Sequence, residues 1–144
     1  MLYREFYGDL FQIKTEYTLV HCISADCAMG KGIASIFAEV NPRMRESLLS
    51  RRPMISNALH YNGEGPHAVI NLVTKQRYFH KPTRKDFNES IRSLRRVVET
   101  YHIDKIAMPL IGAGLDKLSW SVNRQVIQNT FSDLDIDIVV VINK

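Results

Sequence analysis

Strand-like and helix-like segments alternate along this chain, and this alternation constrains the fold more than any other feature. Strands that are separated by helices pair in parallel and are covered on both faces by those helices. We therefore predict an α/β fold with three layers, α/β/α, around a mixed, mostly parallel central sheet. The predicted strands are Leu2–Tyr7, Thr18–Ile23, Ala58–Tyr61, Val69–Thr74, Ile103–Met108 and Ile136–Ile142. The predicted helices are Ile33–Val40, Arg43–Leu49, a segment beginning after Thr83, and Ser121–Phe131.

Local signals add detail to this outline. The clearest helix follows Thr83, whose hydroxyl can cap the backbone, and Asp86 three residues later makes an acidic variant of the capping box. The first strand and the Ala58–Thr74 pair leave room for antiparallel edges. The spacing of apolar residues in the helix after Thr83 predicts one buried stripe: Phe87, Ile91, Leu94, Val98 and Tyr101.

Length and composition exclude several classes of protein. The chain has 144 residues, 45% hydrophobic and 24% charged, so we expect a single domain over residues 1–144. No apolar run approaches the roughly 20 residues of a membrane helix, and no secretion signal is visible. Cys22 and Cys27 match neither a disulfide framework nor a structural zinc site. We expect a soluble, cytoplasmic protein with no metal, and leave a nuclear location open for a eukaryotic source.

The charge of the chain favours an anionic partner. The formal net charge is +4 and the isoelectric point is about 9.2. The basic residues fall in short groups that are typical of solvated faces. Because we find no aromatic residues interleaved with them, nucleic acid is not an expected partner. No membrane partner is expected, and the protein is predicted to be a monomer.

Three loops with unusual residues, the first after Ile23, the second after Thr74 and the third after Met108, are predicted to share one rim of the sheet, because ligands of open α/β sheets bind at the carboxyl ends of strands. The loop Ser24–Gly32 runs into a helix, and its Gly30 and Gly32 allow an anion or a sugar to approach the helix N-terminus. The loop Pro109–Asp116 contains two glycines, which allow its backbone N–H groups to contact a pyrophosphate. Neither loop fits a Walker motif, and a Rossmann cofactor site lacks its acidic residue.

The motifs in these loops, taken together, resemble those of a known family. They are Gly8-Asp9-Leu10, His21 to Cys27 with Met29-Gly30 and Gly32-Ile33-Ala34, Thr74-Lys75, His80 to Thr83, and Met108-Pro109 with Ile111-Gly112 and Gly114-Leu115-Asp116. In this order they resemble a macrodomain, and more closely the terminal ADP-ribose protein glycohydrolase branch. The resemblance runs from Gly8 to the last strand.

The resemblance implies a site for ADP-ribose and needs no cofactor. Asp9 would bind the adenine amino group with Leu10 beside it, although an aspartate after Gly8 can also cap a turn. The segment from Ser24 to Ala34 would surround the distal ribose, and that from Ile111 to Leu115 would hold the diphosphate and the same ribose. The implied ligand-binding residues are Asp9, Leu10, Ser24, Ala25, Met29, Gly30, Gly32, Ile33, Ala34, Thr74, Pro109, Ile111, Gly112, Ala113, Gly114 and Leu115.

The resemblance also implies two catalytic residues, Lys75 and Asp116. In the family's scheme Lys75 attacks the anomeric carbon of the distal ribose and Asp116 acts as general acid or base. A surface lysine is the ordinary interpretation of such a residue without the family motif. Cys27 lies just before a helix N-terminus, where a thiol can be reactive. Because no histidine partner can be assigned to it, we predict that its side chain has a structural packing role.

Three functions remain open at this stage. The first is hydrolysis of mono-ADP-ribose from acidic residues of proteins, with O-acetyl-ADP-ribose as a related ester substrate. The second is a module that binds ADP-ribose or ADP-ribosylated proteins without catalysis. The third is a phosphatase that acts on ADP-ribose 1''-phosphate. Lys75 and Asp116 favour the hydrolase.

Overall fold

The computed structural model describes residues 1–143, which form one six-stranded sheet and four α-helices. Along the chain the elements are β1 (Leu2–Tyr7), a short 3-10 helix (Leu10–Gln12), β2 (Thr18–Ser24), α1 (Gly32–Val40), α2 (Met44–Ser50), β3 (Ala58–Tyr61), β4 (Val69–Lys75), α3 (Arg84–Thr100), β5 (Lys105–Met108), α4 (Trp120–Phe131) and β6 (Asp137–Ile142).

The sheet has the strand order β1-β6-β5-β2-β4-β3 and is mostly parallel. Only the pair of β3 and β4 is antiparallel, with Leu59 opposite Asn71. The first strand lies at an edge, as predicted, but it is not antiparallel, an arrangement for which the sequence left room: β1 pairs in parallel with β6, with Arg4 opposite Val139. Parallel pairing is possible because a long connection, which contains all the other helices and strands, joins β1 to β6. This connection returns the chain to the end of the sheet at which β1 begins, so both strands run in the same direction.

Helices cover the sheet on both faces, which confirms the predicted three-layer α/β/α fold. One face packs against α1 and α2 through the fully buried side chains of Phe37, Met44 and Leu48. The other face packs against α3 and α4 through Phe87 and Ile127 among others. Strand β4 is buried over six of its seven residues, as expected for a central strand covered on both sides.

The predicted cap of α3 is confirmed, and its predicted stripe is confirmed with one exception. The hydroxyl of Thr83 accepts a hydrogen bond from the backbone N–H of Asp86 at 3.0 Å. Phe87, Ile91, Leu94 and Val98 are buried. The prediction that Tyr101 is buried is wrong. The helix ends at Thr100, and the Tyr101 side chain stacks on His60 and is 52% exposed.

The lengths of β2 and β4 decide what lies at the rim of the sheet. Each strand continues one residue beyond its predicted end, to Ser24 and to Lys75. Lys75 is therefore the last residue of a rigid central strand and not part of a free loop. Within residues 1–143, no helix has the length and apolar character needed to cross a membrane.

Candidate active site

The carboxyl ends of β2, β4 and β5 lie side by side, because these parallel strands are neighbours in the sheet. The three loops that the sequence singled out therefore meet at one rim. At Ser24 the register of β2 against β4 shifts, and the backbone N–H of Ala25 donates to the carbonyl of Lys75 at 2.8 Å. This bond joins the first loop to the second.

Lys75 and Asp116 meet at this rim. The ammonium nitrogen Nζ of Lys75 lies 2.7 Å from Oδ1 of Asp116, and the two side chains are only 15% and 13% exposed. Shielding from water strengthens the interaction between the two charges. The Lys75 amine, at the end of β4, and the Asp116 carboxylate are in direct contact, so a proton can pass between them without a bridging water molecule.

Two cysteines, Cys22 in β2 and Cys27 in the loop that follows it, have a raised pKa. Burial raises the pKa of Cys22 far above its usual range, and the negative charge of Asp116 acts in the same direction. Burial also raises the pKa of Cys27, whose thiol donates to the carbonyl of Ala25 at 3.8 Å. Both remain thiols at neutral pH, and Cys27, which is fully buried, packs the core as predicted.

Asp26 organises the loop that follows β2. Its Oδ1 accepts hydrogen bonds from the hydroxyl of Ser24 and, at 3.2 Å, from the backbone N–H of Ala28. Burial opposes ionisation of Asp26, but these bonds, a bond from Tyr78 and the charge of Arg77 outweigh it and lower the pKa. The sequence contained Asp26 in a motif but gave it no role.

The same loop holds two residues in a costly backbone conformation. Cys27 and Met29 have φ values of 52° and 47°, in the left-handed region that side chains disfavour. Their burial and the hydrogen bond from Nε of Arg45 to the carbonyl of Cys27, at 2.7 Å, keep the loop in this shape. Such strain occurs often in loops that bind ligands.

The loop ends in an open helix N-terminus. Lys31 is the N-cap of α1, and its side chain makes no capping hydrogen bond, so the first amides of the helix are free to bind an anion. Gly32 needs its glycine because φ is +61°. Gly30 does not, since a Cβ there meets nothing closer than the carbonyl of Ala28 at 4.0 Å.

The third loop packs against α3 and α4. Asn123, fully buried, donates to the carbonyl of Ile111 at 3.0 Å. Gly112 has φ +73°, and a Cβ on it would lie 2.7 Å from the Phe87 ring. A Cβ on Gly114, by contrast, would meet nothing within 4 Å. No sequence pattern points to Asn123, because its role depends on how α4 packs against this loop.

The segment Gln76–Lys81 joins the first and third loops. The backbone N–H of Tyr78 donates to Oδ2 of Asp26 at 3.1 Å. At the other end Nζ of Lys81 donates to the carbonyl of Leu115 at 2.5 Å. This segment, which begins directly after Lys75, is therefore hydrogen-bonded to both predicted ligand loops.

Asp9 has the turn-capping role that the sequence left open as its alternative. Its Oδ1 accepts from the backbone N–H of Phe11 at 3.0 Å and caps the 3-10 helix, while Leu10 is buried. The residue itself is exposed, so this contact does not occupy the whole carboxylate. Its binding of adenine stays a prediction, as do the roles of the other predicted ligand-binding residues.

Other regions offer less chemistry. Two shallow hollows of about 350 and 360 Å³ lie at the opposite end of the strands, around Asp104 and Ile136. We favour the Lys75 end, because it brings an acid and a base together beside glycine loops. In the part of the chain that the structure describes, no three His, Cys, Asp or Glu side chains are grouped as metal ligands.

Comparison with known proteins agrees with this geometry. No family model matches the chain. A bovine protein named ADP-ribose glycohydrolase OARD1 is 35% identical over 133 residues, which cover 92% of this chain and 86% of that protein. A Thermus aquaticus protein named DNA ADP-ribosyl glycohydrolase is 26% identical over 136 residues, 89% of this chain but 37% of that protein.

Solved structures agree as well. The macrodomain of Mycobacterium tuberculosis DarG superposes with a TM-score of 0.88 at 26% identity, covering 97% of both chains. Strand order, layers and rim loops thus define a macrodomain fold. The chain belongs to the macrodomain family, in the branch of the ADP-ribose glycohydrolase OARD1, which confirms the resemblance seen in the sequence.

Proposed function

We propose that this protein is a hydrolase that removes mono-ADP-ribose from acidic residues of proteins. The observation that carries the proposal is the shielded contact of Lys75 with Asp116 between two glycine loops, in a chain whose relatives are named ADP-ribose glycohydrolases. O-acetyl-ADP-ribose, which also carries an ester on the distal ribose, is a second substrate. The proposal includes a monomeric, cytoplasmic protein that needs no cofactor.

The loops support binding of ADP-ribose in one orientation. The free amides at the start of α1 and the glycine loop over Phe87 suit a diphosphate, because both present N–H groups to an anion. Gly30 and Gly114 are required neither by packing nor by a positive φ, so a closely approaching ligand is the best reason for glycine there. The distal ribose then lies next to Lys75 and Asp116.

The paired side chains support a two-step reaction. In the first step Asp116 accepts the proton of the Lys75 ammonium, and the freed amine attacks the anomeric carbon. The bond from that carbon to the acceptor oxygen breaks, and Asp116 returns the proton to the departing carboxylate. In the second step Asp116 takes a proton from water, which attacks the same carbon and displaces Lys75, so that ADP-ribose is released.

A second acceptor class is favoured by one relative. The Thermus aquaticus protein is named for removal of ADP-ribose from DNA, and it is similar over 89% of this chain. The same attack of Lys75 on the anomeric carbon can also release a nucleobase as the leaving group, provided that Asp116 protonates the base.

The test of the function is an assay of released ADP-ribose with the wild-type protein. We expect release from a protein modified on glutamate, and none from the same protein modified on serine, whose ether-like linkage has a poor leaving group. Tight binding of ADP-ribose with no release identifies a binding module instead. Release of phosphate from ADP-ribose 1''-phosphate, without release from the glutamate ester, identifies a phosphatase.

A further inference from the structure

The tip of the loop that carries Asp116 is packed only sparsely. A Cβ on Gly114 would meet nothing within 4 Å, and Leu115 is 64% exposed. The backbone N–H of Lys117 donates to the carbonyl of Gly114 at 3.2 Å, which closes the tip into a turn. Because few side chains pack against this turn, its position relative to the sheet depends on hydrogen bonds from other segments.

Two lysines reach the loop tip, one from the end of β4 and one from the segment that follows it. Lys75 contacts the carboxylate of Asp116, and Nζ of Lys81 donates to the carbonyl of Leu115 at 2.5 Å. Among residues 1–143, these two are the hydrogen bonds that other segments make to residues 114–116. The Leu115 carbonyl shares a planar peptide group with the backbone nitrogen of Asp116. Lys81 therefore holds the backbone from which the Asp116 side chain extends.

The backbone around Lys81 is itself well fixed. Just before it, the N–H of His80 donates to the carbonyl of Arg77 at 3.0 Å, and the N–H of Arg77 donates to Nδ1 of His80 at 3.3 Å. Just after it, Pro82 is buried and Thr83 caps α3, which packs on the sheet. The hydrogen bond from Lys81 therefore joins the sparsely packed loop tip to a rigid part of the molecule.

The Lys81 contact does not depend on the charge of Asp116. Its acceptor is a backbone carbonyl, and within residues 1–143 Lys81 forms no ion pair. The Lys75 contact, by contrast, changes twice in the proposed reaction. The proton of Lys75 passes to Asp116, and the Lys75 nitrogen then moves into a bond with the anomeric carbon. The bond from Lys81 is unaffected by either change, so it can keep Asp116 in place throughout.

We propose that Lys81 is a positioning residue that holds the Asp116 loop tip while Lys75 is bonded to the substrate. The proposal rests on the proposed function, because it gives Lys81 a part in the two steps described there for Lys75 and Asp116. Lys81 acts through the Leu115 carbonyl and does not itself exchange a proton. The second step, in which Asp116 activates water and the Lys75 nitrogen is bonded to the sugar, depends on Lys81 more than the first.

The test measures release of ADP-ribose from a protein modified on glutamate. We expect Lys81→Met, which keeps an apolar stem but removes the donor, to lower kcat about tenfold or more and to change the Kd for free ADP-ribose by less than about twofold. Lys81→Arg, which keeps a charged donor, should restore most of kcat. Lys85→Met is the matched control, because Lys85 is an exposed lysine four residues away whose partner is Glu89, at 3.9 Å.

A second readout separates positioning from a general loss of structure. If Lys81→Met slows the second step more than the first, protein with ADP-ribose bonded to Lys75 accumulates during turnover. Mass spectrometry of the acid-quenched protein detects this adduct, and we expect more of it in Lys81→Met than in wild type or Lys85→Met. A loop tip that is merely disordered slows the first step as well, and no adduct accumulates.

Four results overturn this proposal while leaving the hydrolase intact. They are a wild-type kcat in Lys81→Met, an equal loss in Lys85→Met, no recovery in Lys81→Arg, and a lower kcat without accumulation of the adduct. Weaker binding of free ADP-ribose by Lys81→Met also overturns it, because Lys81 would then contact the ligand directly. A wild-type protein that releases no ADP-ribose contradicts the proposed function itself.

Discussion

At the level of single residues, the sequence singled out the two side chains that meet at the rim of the sheet but not the side chains that hold the surrounding loops. Lys75 and Asp116 were named from family motifs 41 positions apart, and their contact at 2.7 Å agrees with a shared role. Asp26 and Asn123 were not assigned, because their hydrogen bonds reach across loops and helices that the local pattern does not relate. The roles of the two catalytic candidates stay predictions until they are measured.

Gly112 and Gly114 separate the demands of folding from those of the ligand. Gly112→Ala places a Cβ at φ +73° and 2.7 Å from the Phe87 ring, so we expect the free energy of unfolding to fall by roughly 1–2 kcal/mol. Gly114→Ala, where a Cβ meets nothing within 4 Å, should not lower the free energy of unfolding but should weaken binding of ADP-ribose. Urea unfolding and calorimetric titration measure the two effects. Equal destabilisation by both variants, or full binding by Gly114→Ala, contradicts this assignment.

At the level of elements, local patterns were sufficient for helices and strands but not for every pairing. Hydrophobic period and capping residues found α3 and the six strands, since these signals are local. The direction of β1 depends on its partner β6 at the far end of the chain, which no local pattern specifies. Tyr101 fits the helical spacing, but the helix ends one residue before it.

The caps of α3 and α4 form a matched pair for an element-level test. Thr83 accepts a hydrogen bond from the backbone of Asp86, whereas Ser119, the N-cap of α4, makes no capping bond from its side chain. We expect Thr83→Ala to lower the free energy of unfolding by about 1 kcal/mol and Ser119→Ala to lower it by much less. Urea denaturation of both variants checks this. An equal loss would mean that the Thr83 hydroxyl is not what stabilises the helix.

For the whole molecule, a buried histidine makes stability depend on pH. His21 is fully buried, stacks on Phe37 and has its Nε2 2.6 Å from Oδ1 of Asn71. Burial lowers the pKa of His21 to about 4, although the Asn71 contact opposes this shift. The unfolded chain, with an ordinary pKa of about 6.5, therefore binds more protons between these values, and stability is lost as the pH falls from 6.5 toward 4.

This linkage gives a prediction for global unfolding. Between pH 7 and pH 5 we expect His21 to reduce the free energy of unfolding by about 2 kcal/mol. Urea unfolding of His21→Gln should show that much less change between the two pH values, whatever its stability at pH 7. The exposed His102 is the control, and His102→Asn should keep the wild-type dependence. An unchanged dependence in His21→Gln would show that other groups cause it.

Lys75 and Asp116 are proposed to form one reaction centre for the release of ADP-ribose. The most direct measurement is a comparison of wild type, Lys75→Ala and Asp116→Ala in release of ADP-ribose from a protein modified on glutamate, with ADP-ribose binding measured for each. We expect each variant to bind ADP-ribose and to release it at least about a hundredfold more slowly than wild type. Release at the wild-type rate by either variant would contradict the claim.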